Sequence, residues 1–210
     1  PPSKLKWLFL GGLILIVIVG IAAYFTGRSL RPYHIKGQQF EPVPAYDFTM
    51  ISSRTQEPTS LSDFYGKKFT LIYFGYTTCP DVCPASLSAY SKSYDLLSKK
   101  AKDKVQFLWI TVDPARDTPE KMEDYISHFR PNFMLGMIPR SAEELKEVAN
   151  AYSAYYEKID YGSEAGYLMD HSAGVVLVDP KGVKRLIYSF NTPPEDVASD
   201  LEYLIKTEME

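Results

Sequence analysis

The fold is decided by the stretch Phe69-Thr-Leu-Ile-Tyr-Phe-Gly75, which is followed after three residues by Cys79-Pro-Asp-Val-Cys83. Its apolar, β-branched and aromatic residues predict a central strand over 68–75. A helix is predicted directly afterwards, over 84–100, from apolar residues at three- and four-residue steps. The only two cysteines of the chain therefore lie where a strand meets a helix N-terminus, which favours the thiolate form.

The spacing of the two cysteines leaves three kinds of chemistry open. C-x-x-x-C is one residue longer than the C-x-x-C of dithiol oxidoreductases. Two sulfurs at this spacing can hold a metal ion, cycle between dithiol and disulfide, or form a structural disulfide. The structural disulfide is the weakest of these, because closing so small a loop removes little chain entropy. Redox cycling would indicate an extracytoplasmic compartment, since cytosolic thiols are kept reduced.

Further elements can be read outward from this strand. Strands are predicted over 46–51, 105–112 and 133–138, helices from Thr118 and from Ser141, a hairpin of 173–178 with 183–188, and a C-terminal helix from Pro193. The order β–Cys–α–β–α–β–α–β–β–α predicts an α/β domain over 46–210, in which helices flank a central mixed sheet. This is the thioredoxin-like arrangement.

The N-terminal part of the chain has a different composition. The nineteen residues 7–25 carry no charge, and a helix of that length can cross a hydrocarbon core of about 30 Å. The sequence predicts a short flank over 1–6, a single transmembrane helix over 7–26 and a tether over 27–45. The apolar run is longer than that of a cleaved signal peptide, so the anchor is expected to be retained.

The charge distribution argues against nucleic-acid binding. The chain has 26 acidic and 23 basic side chains, and everything beyond Arg31 holds all 26 acidic but only 19 basic ones, a net charge of −7. A domain without a basic stripe is a poor nucleic-acid binder. Such acidity suits a cationic or metal-bearing partner, although it also serves solubility.

A third metal ligand is sought among the three histidines. His34 lies in the predicted tether, which offers no rigid site, and His128 lies near the end of a helix, where a partly exposed histidine suits the helix dipole. His171 directly precedes the first strand of the closing hairpin and is expected to approach the cysteine loop, with Asp170 orienting its imidazole. Two sulfurs and one nitrogen suit copper in either oxidation state, whereas zinc usually takes a fourth ligand.

Three separated motifs resemble one known family. Cys79-Pro-Asp-Val-Cys83-Pro84, Val112-Asp-Pro-Ala-Arg-Asp-Thr-Pro119 and Asp170-His171-Ser172 are similar to those of the Sco/SenC family of cytochrome c oxidase assembly factors, and the resemblance covers roughly residues 45–206. It implies a thioredoxin-like copper protein that binds Cu(I) or Cu(II) through Cys79, Cys83 and His171.

The resemblance also implies a function and a location. Such a metallochaperone helps to assemble the dinuclear copper centre of the oxidase, as copper donor, as thiol reductant of the copper-bearing subunit, or as both. Its partners would be that subunit, the membrane, and other copper chaperones or thiol reductases. We expect a single-pass protein of the cell (inner) membrane whose globular domain faces the periplasm, and a mobile stretch over 160–169 that lets His171 approach or withdraw.

Two alternatives stay open at this point. In the first, the protein is an enzyme, a membrane-bound thiol:disulfide oxidoreductase in which Cys79 and Cys83 are the catalytic redox-active thiols and copper binding is incidental. In the second, it is an accessory subunit that stays docked on a respiratory complex. A peroxidase on the same scaffold is disfavoured, because Thr77-Thr78-Cys79 lacks the Thr-x-x-Cys pattern of a peroxidatic site.

Overall fold

The structure is a computed structural model that describes residues 4–29, 32–163 and 166–209. The chain divides into two compact units, one ending at His34 and the other spanning Ile35–Glu210. The first unit contains helix α1, Lys4–Ser29. Among the described residues, no helix combines the length and apolar character needed to cross a membrane. The transmembrane helix predicted over 7–26 therefore stays a prediction, and residues 1–3, 30 and 31 of the neighbouring segments lie outside the described residues.

The second unit is built on an eight-stranded mixed sheet. Its strands are β1 Gln38–Pro44, β2 Thr49–Ser52, β3 Pro58–Ser60, β4 Phe69–Gly75, β5 Val105–Thr111, β6 Met134–Ile138, β9 Val175–Val178 and β10 Val183–Tyr188. They lie in the order β1-β10-β9-β4-β5-β6-β2-β3. Strands β4, β5 and β6 are parallel, whereas β9 runs antiparallel to β4. Strands β7, Tyr156–Ser163, and β8, Gly166–His171, form a separate two-stranded sheet.

Helices α2 Val82–Leu96 and α3 Lys99–Lys102 connect β4 to β5, and α4 Pro119–Ser127 connects β5 to β6. Helix α5, Ala142–Ala151, follows β6, helix α6, Pro194–Glu208, follows β10, and a 3-10 turn over Leu61–Phe64 precedes β4. Two predicted caps are confirmed: the side chain of Thr118 accepts a hydrogen bond from the first turn of α4, and that of Ser141 does so for α5. Each cap satisfies a backbone N–H that the helix leaves unpaired.

The core lies on both faces of the parallel strands. Every residue of β4, β5 and β6 is buried, which is typical of parallel strands covered by helices on two sides. Helix α2 packs against α6, and α4 packs against β6. The central strand predicted over 68–75 is thus confirmed, and its carboxyl end delivers the cysteine loop to one edge of the core.

The structure differs from the sequence prediction at several points, one of which is strand β3, Pro58–Ser60, which was not predicted. Residues 38–44, which fell within the predicted tether, form β1 and pair with β10. The helix predicted over 84–100 is two helices, because Leu97 leaves the helical conformation and Ser98 caps α3. The hairpin of β7 and β8 was not predicted, and His171 ends β8 instead of opening the next strand from a loop.

Candidate metal centre

The two cysteines are positioned by the junction between β4 and α2. Cys83 lies in the first turn of α2 and is fully buried, whereas Cys79 lies before the helix and is partly exposed. The backbone N–H of Cys83 donates to Sγ of Cys79 at 3.4 Å. The sulfur of Cys79 therefore accepts a hydrogen bond from an N–H group that the start of the helix leaves unpaired.

His171 completes a cluster with both sulfurs. Its Nε2 lies 3.3 Å from Sγ of Cys83, and one ligand atom from each of Cys79, Cys83 and His171 lies within 4.8 Å of the other two. Within the described ranges, no other group of three or more Cys, His, Asp or Glu residues meets the same condition. The three residues are those predicted from the sequence, and the structure brings them together from the segment before α2, from α2 itself and from β8.

The hydrogen bonds of His171 differ from the prediction in one respect. Nδ1 lies 3.0 Å from the backbone carbonyl of Ser172. A carbonyl oxygen only accepts, so Nδ1 is the donor of this hydrogen bond and Nε2 is the ring nitrogen that faces the sulfurs. Asp170 was expected in this role, but it is exposed, because consecutive residues of a strand point to opposite faces. The carbonyl of Ser172 orients the imidazole instead.

The pKa values of the two cysteines are shifted in opposite directions. The pKa of Cys79 is lowered to about 3, chiefly by a hydrogen bond from the thiol of Cys83 and further by His171, against the opposing effect of burial. The pKa of Cys83 is raised well above its usual range by its hydrogen bond to Cys79 and by burial. The metal-free site therefore holds one thiolate, on Cys79, and one thiol, on Cys83.

Aromatic side chains enclose the buried side of the cluster. The hydroxyl of Tyr73 lies 3.6 Å from Sγ of Cys83. The imidazole of His171 meets the rings of Tyr73 and Tyr76 edge to face, with centroids 6.1 Å and 5.7 Å away. These aromatic contacts cover the buried side of the site and restrict the orientation of the imidazole ring.

Gly75, the last residue of β4, permits the close approach of these groups. A Cβ atom at this position would lie 2.7 Å from Nε1 of Trp109 and 2.8 Å from Sγ of Cys83. Both neighbours are fully buried, so they have no free space into which to withdraw. Sequence reasoning missed this role, although a glycine that ends a buried strand signals a close approach of other groups.

The loop between β5 and α4 is hydrogen-bonded to the loop that leads from β4 to Cys79. Asp117 is fully buried and accepts hydrogen bonds from the backbone N–H of Thr77 at 3.0 Å, from the Thr77 hydroxyl at 2.5 Å and from the Thr111 hydroxyl at 2.7 Å. The carboxylate ties together two loops that follow adjacent parallel strands.

A cavity of about 350 Å³ opens on the outer side of the cluster. It is lined by Cys79, His171, Tyr76 and Met169, among others. The half-buried sulfur of Cys79 and the imidazole thus face an opening through which a ligand from another molecule can reach them. The predicted mobility over 160–169 falls partly on residues 164 and 165, which lie outside the described residues.

The geometry defines a class of protein: an α/β protein with a central mixed sheet that carries two thiols and an imidazole in one partly open cluster. This soft donor set fits copper, because thiolates favour Cu(I) and an added imidazole suits Cu(II). His128 takes no part in the cluster, since its Nδ1 lies 2.9 Å from the carbonyl of Asp124 at the exposed end of α4.

Comparison with known proteins identifies the family. The SCO1/SenC family model matches residues 37–206, and the chain belongs to this family. Protein sco1 of Schizosaccharomyces pombe is 36% identical over 188 residues, which cover 86% of this chain and 70% of that protein.

Solved structures agree with this assignment and with the thioredoxin-like fold. ScoI of Bradyrhizobium japonicum, solved with copper bound, is 34% identical with a TM-score of 0.68 and covers 77% of this chain and 99% of that one. Apo Sco1 of Thermus thermophilus is 36% identical with a TM-score of 0.71 and covers 82% and 98%.

Proposed function

We propose that this protein is a copper metallochaperone that binds one copper ion through Cys79, Cys83 and His171. The observation that carries the proposal is the convergence of their three ligand atoms within 4.8 Å of one another beside an open cavity. A relative with 34% identity has been solved with copper bound. The donor set matches the preference of copper for thiolate and imidazole ligands.

The transfer step follows from the unequal exposure of the ligands. Copper is held by two thiolates and by Nε2 of His171, so the thiol of Cys83 loses its proton on loading. A ligand from the receiving protein enters through the cavity and meets the copper on the side of Cys79 and His171. The imidazole is the neutral ligand and leaves first, after which the thiolates are replaced in turn. A three-coordinate site can release copper in this way because its ligands leave one side of the ion open to the incoming ligand.

The recipient and the location form the second part of the proposal. The resemblance to cytochrome c oxidase assembly factors points to the copper-bearing subunit of the oxidase as the partner, with other copper chaperones or thiol reductases acting upstream. The nineteen uncharged residues 7–25 support a membrane anchor. An anchored protein with reactive thiols fits an extracytoplasmic domain at the cell (inner) membrane, where copper and disulfide chemistry coexist.

The test uses the full chain purified in detergent, reduced without oxygen and loaded with one equivalent of copper. We expect one bound copper and a thiolate-to-Cu(II) charge-transfer band, both lost in Cys79→Ala and Cys83→Ala. His171→Ala is expected to lose the Cu(II) band while retaining Cu(I) on the two sulfurs. Copper binding that survives in both cysteine variants would contradict the assigned ligands.

A second function is favoured by one observation. The lowered pKa of Cys79, about 3, gives a nucleophilic thiolate at neutral pH, as a thiol:disulfide oxidoreductase requires. The same preparation distinguishes the two functions. A protein without tight copper whose cysteines reversibly reduce a disulfide substrate would support the oxidoreductase, whereas tight copper with slow disulfide exchange supports the metallochaperone.

A further inference from the structure

The hairpin that carries His171 is not part of the main sheet. Among the described strands, β7 and β8 pair only with each other. The backbone hydrogen bonds of the core therefore do not fix the distance between the imidazole and the two sulfurs. Side-chain contacts between the hairpin and the core therefore contribute to it, and several of them involve Tyr167.

Tyr167 is held by two residues of the loop between β5 and α4. Its hydroxyl donates to Oδ1 of Asp113 at 2.7 Å, and its ring centroid lies 3.7 Å from Cζ of Arg116. Arg116 also donates from Nη1 to the backbone carbonyl of Tyr167 at 2.9 Å. The ring, the hydroxyl and the backbone of one residue are thus all bound to the core.

A second cation lies over the same ring. Nζ of Lys158 is 3.9 Å from the centroid of Tyr167. Two cations this close to one centroid must occupy opposite faces, because on one face they would collide and repel each other. Lys158 belongs to β7, so this contact lies within the hairpin and does not tie it to the core. Removing it leaves the bridge to Arg116 and Asp113 intact.

The part of the bridge that belongs to the core is rigid. Asp113 is buried and forms an ion pair with Arg116. Its backbone N–H donates to the Thr111 hydroxyl at 2.9 Å, and its carbonyl accepts from the N–H of Arg116 and of Asp117 at 3.0 Å. Since Asp117 also holds the cysteine loop at Thr77, one loop carries both halves of the metal centre.

We propose that Arg116 and Asp113 act on Tyr167 as a latch that positions His171, an inference that rests on the proposed copper function. Tyr167 and His171 are four residues apart on β8, so they share a face at a separation of about 13 Å. With the latch closed, Nε2 lies 3.3 Å from Sγ of Cys83. With the latch open, the hairpin swings, the imidazole withdraws and copper remains on the two sulfurs alone. Arg116 and Tyr167 are therefore positioning residues, and neither is a ligand.

The first measurement needs no copper. Hydrogen exchange of the β7 and β8 amides in the metal-free full chain is compared between wild type, Arg116→Met, Tyr167→Phe and Lys158→Met. Arg116→Met removes a charge-assisted hydrogen bond and a cation–π contact, so exchange in the hairpin is expected to accelerate about 10- to 100-fold. Tyr167→Phe keeps the ring and folds with the ion pair intact, and about a tenfold acceleration is expected. Lys158→Met is the matched control and should change exchange less than threefold.

The second measurement uses copper. In Arg116→Met and Tyr167→Phe, the Cu(II) charge-transfer band is expected to shift towards that of His171→Ala and Cu(II) to dissociate faster, while Cu(I) binding stays within about threefold of wild type. Hairpin exchange and Cu(II) spectra that match wild type in both latch variants would overturn the proposal. If no variant binds copper, the proposed function fails, but the exchange data still decide whether the latch holds the hairpin.

Discussion

Replacing Gly75 by alanine tests the packing of the metal centre most directly. The added Cβ would lie 2.7 Å from Nε1 of Trp109 and 2.8 Å from Sγ of Cys83, about 1 Å inside the optimal separation of roughly 3.5–4.0 Å. The backbone of Gly75 is not in the left-handed region, so alanine fits its conformation and the whole effect is steric. The buried indole and the buried sulfur must both move.

The magnitude follows from overpacking in a rigid core. Inserting a methyl group against two fully buried neighbours is expected to lower the free energy of unfolding by about 1–3 kcal/mol. For a domain of this size that corresponds to a decrease in melting temperature of about 2–12 °C. Because the displaced sulfur is a metal ligand, copper affinity is also expected to fall. Each 1.4 kcal/mol of lost copper-binding free energy lowers the affinity about tenfold.

Gly136→Ala provides the matched control. A Cβ at Gly136 would lie 2.9 Å from Cβ and Oγ of Ser53 and 3.1 Å from Cε of Met122, a similar overlap that involves none of the three ligands. Both variants should lose stability in urea unfolding, but only Gly75→Ala should lose copper affinity and change the charge-transfer band. If Gly75→Ala binds copper like wild type while losing as much stability as the control, the reasoning about the site is refuted.

Three further predictions concern the site and its supports. In the metal-free protein Cys79 should react with iodoacetamide much faster than Cys83. Its rate should be nearly constant from pH 8 to pH 5, because its pKa of about 3 keeps the thiolate present. Peptide mass spectrometry measures the labelling of each cysteine, and equal labelling of the two would contradict this prediction. Asp117→Ala leaves the donors of Thr77 unpaired and should lower the free energy of unfolding by about 2–4 kcal/mol; a change below 0.5 kcal/mol in urea unfolding would count against the network. Asp200→Ala removes the buried acceptor of the N–H groups just before β1 and should accelerate hydrogen exchange in β1 more than in β4; uniform exchange would show that this carboxylate does not hold β1.

The parts of the fold that the sequence predicts best are those with local signals. The strand over 68–75 is apolar at nearly every position, and Thr118 and Ser141 mark helix starts through their own side chains. The three metal ligands were predictable for a similar reason, since two cysteines and one suitably placed histidine leave few combinations. Each of these features can be read from a short stretch of chain.

Strand β1 and the β7–β8 hairpin have no such signal. β1 contains Pro42 and Pro44 and forms only because it occupies the edge of the sheet, where a missing N–H is tolerated; its pairing with β10 is interrupted by a register shift between Gln39 and Val43. The hairpin is polar and is held by residues of the Asp113–Pro119 loop, about fifty positions earlier. Non-local contacts of this kind are invisible to a reading by local pattern.

The same limit explains why the sequence suggested Asp170, and not a backbone carbonyl, as the hydrogen-bond acceptor of His171. From the sequence, Asp170 is the nearest carboxylate and the natural acceptor. Once His171 is in a strand, alternation turns its neighbour to the opposite face, and a backbone carbonyl, which the sequence never shows, takes the role. Adjacency in the sequence therefore does not identify the hydrogen-bond partner of a histidine until the secondary structure around it is known.

The unequal burial of the two sulfurs also governs how an oxidised form of the protein would be opened. Only Sγ of Cys79 reaches the cavity, so an incoming thiolate must attack that atom and expel Cys83 as the leaving group. Within the mixed disulfide the hydrogen bond between the cysteines is gone, but burial persists and still raises the pKa of the departing thiol. A leaving group of high pKa departs slowly. A disulfide between these cysteines would therefore be long-lived towards small free thiols, and its rapid reduction would require a proton to reach Cys83 as the bond breaks.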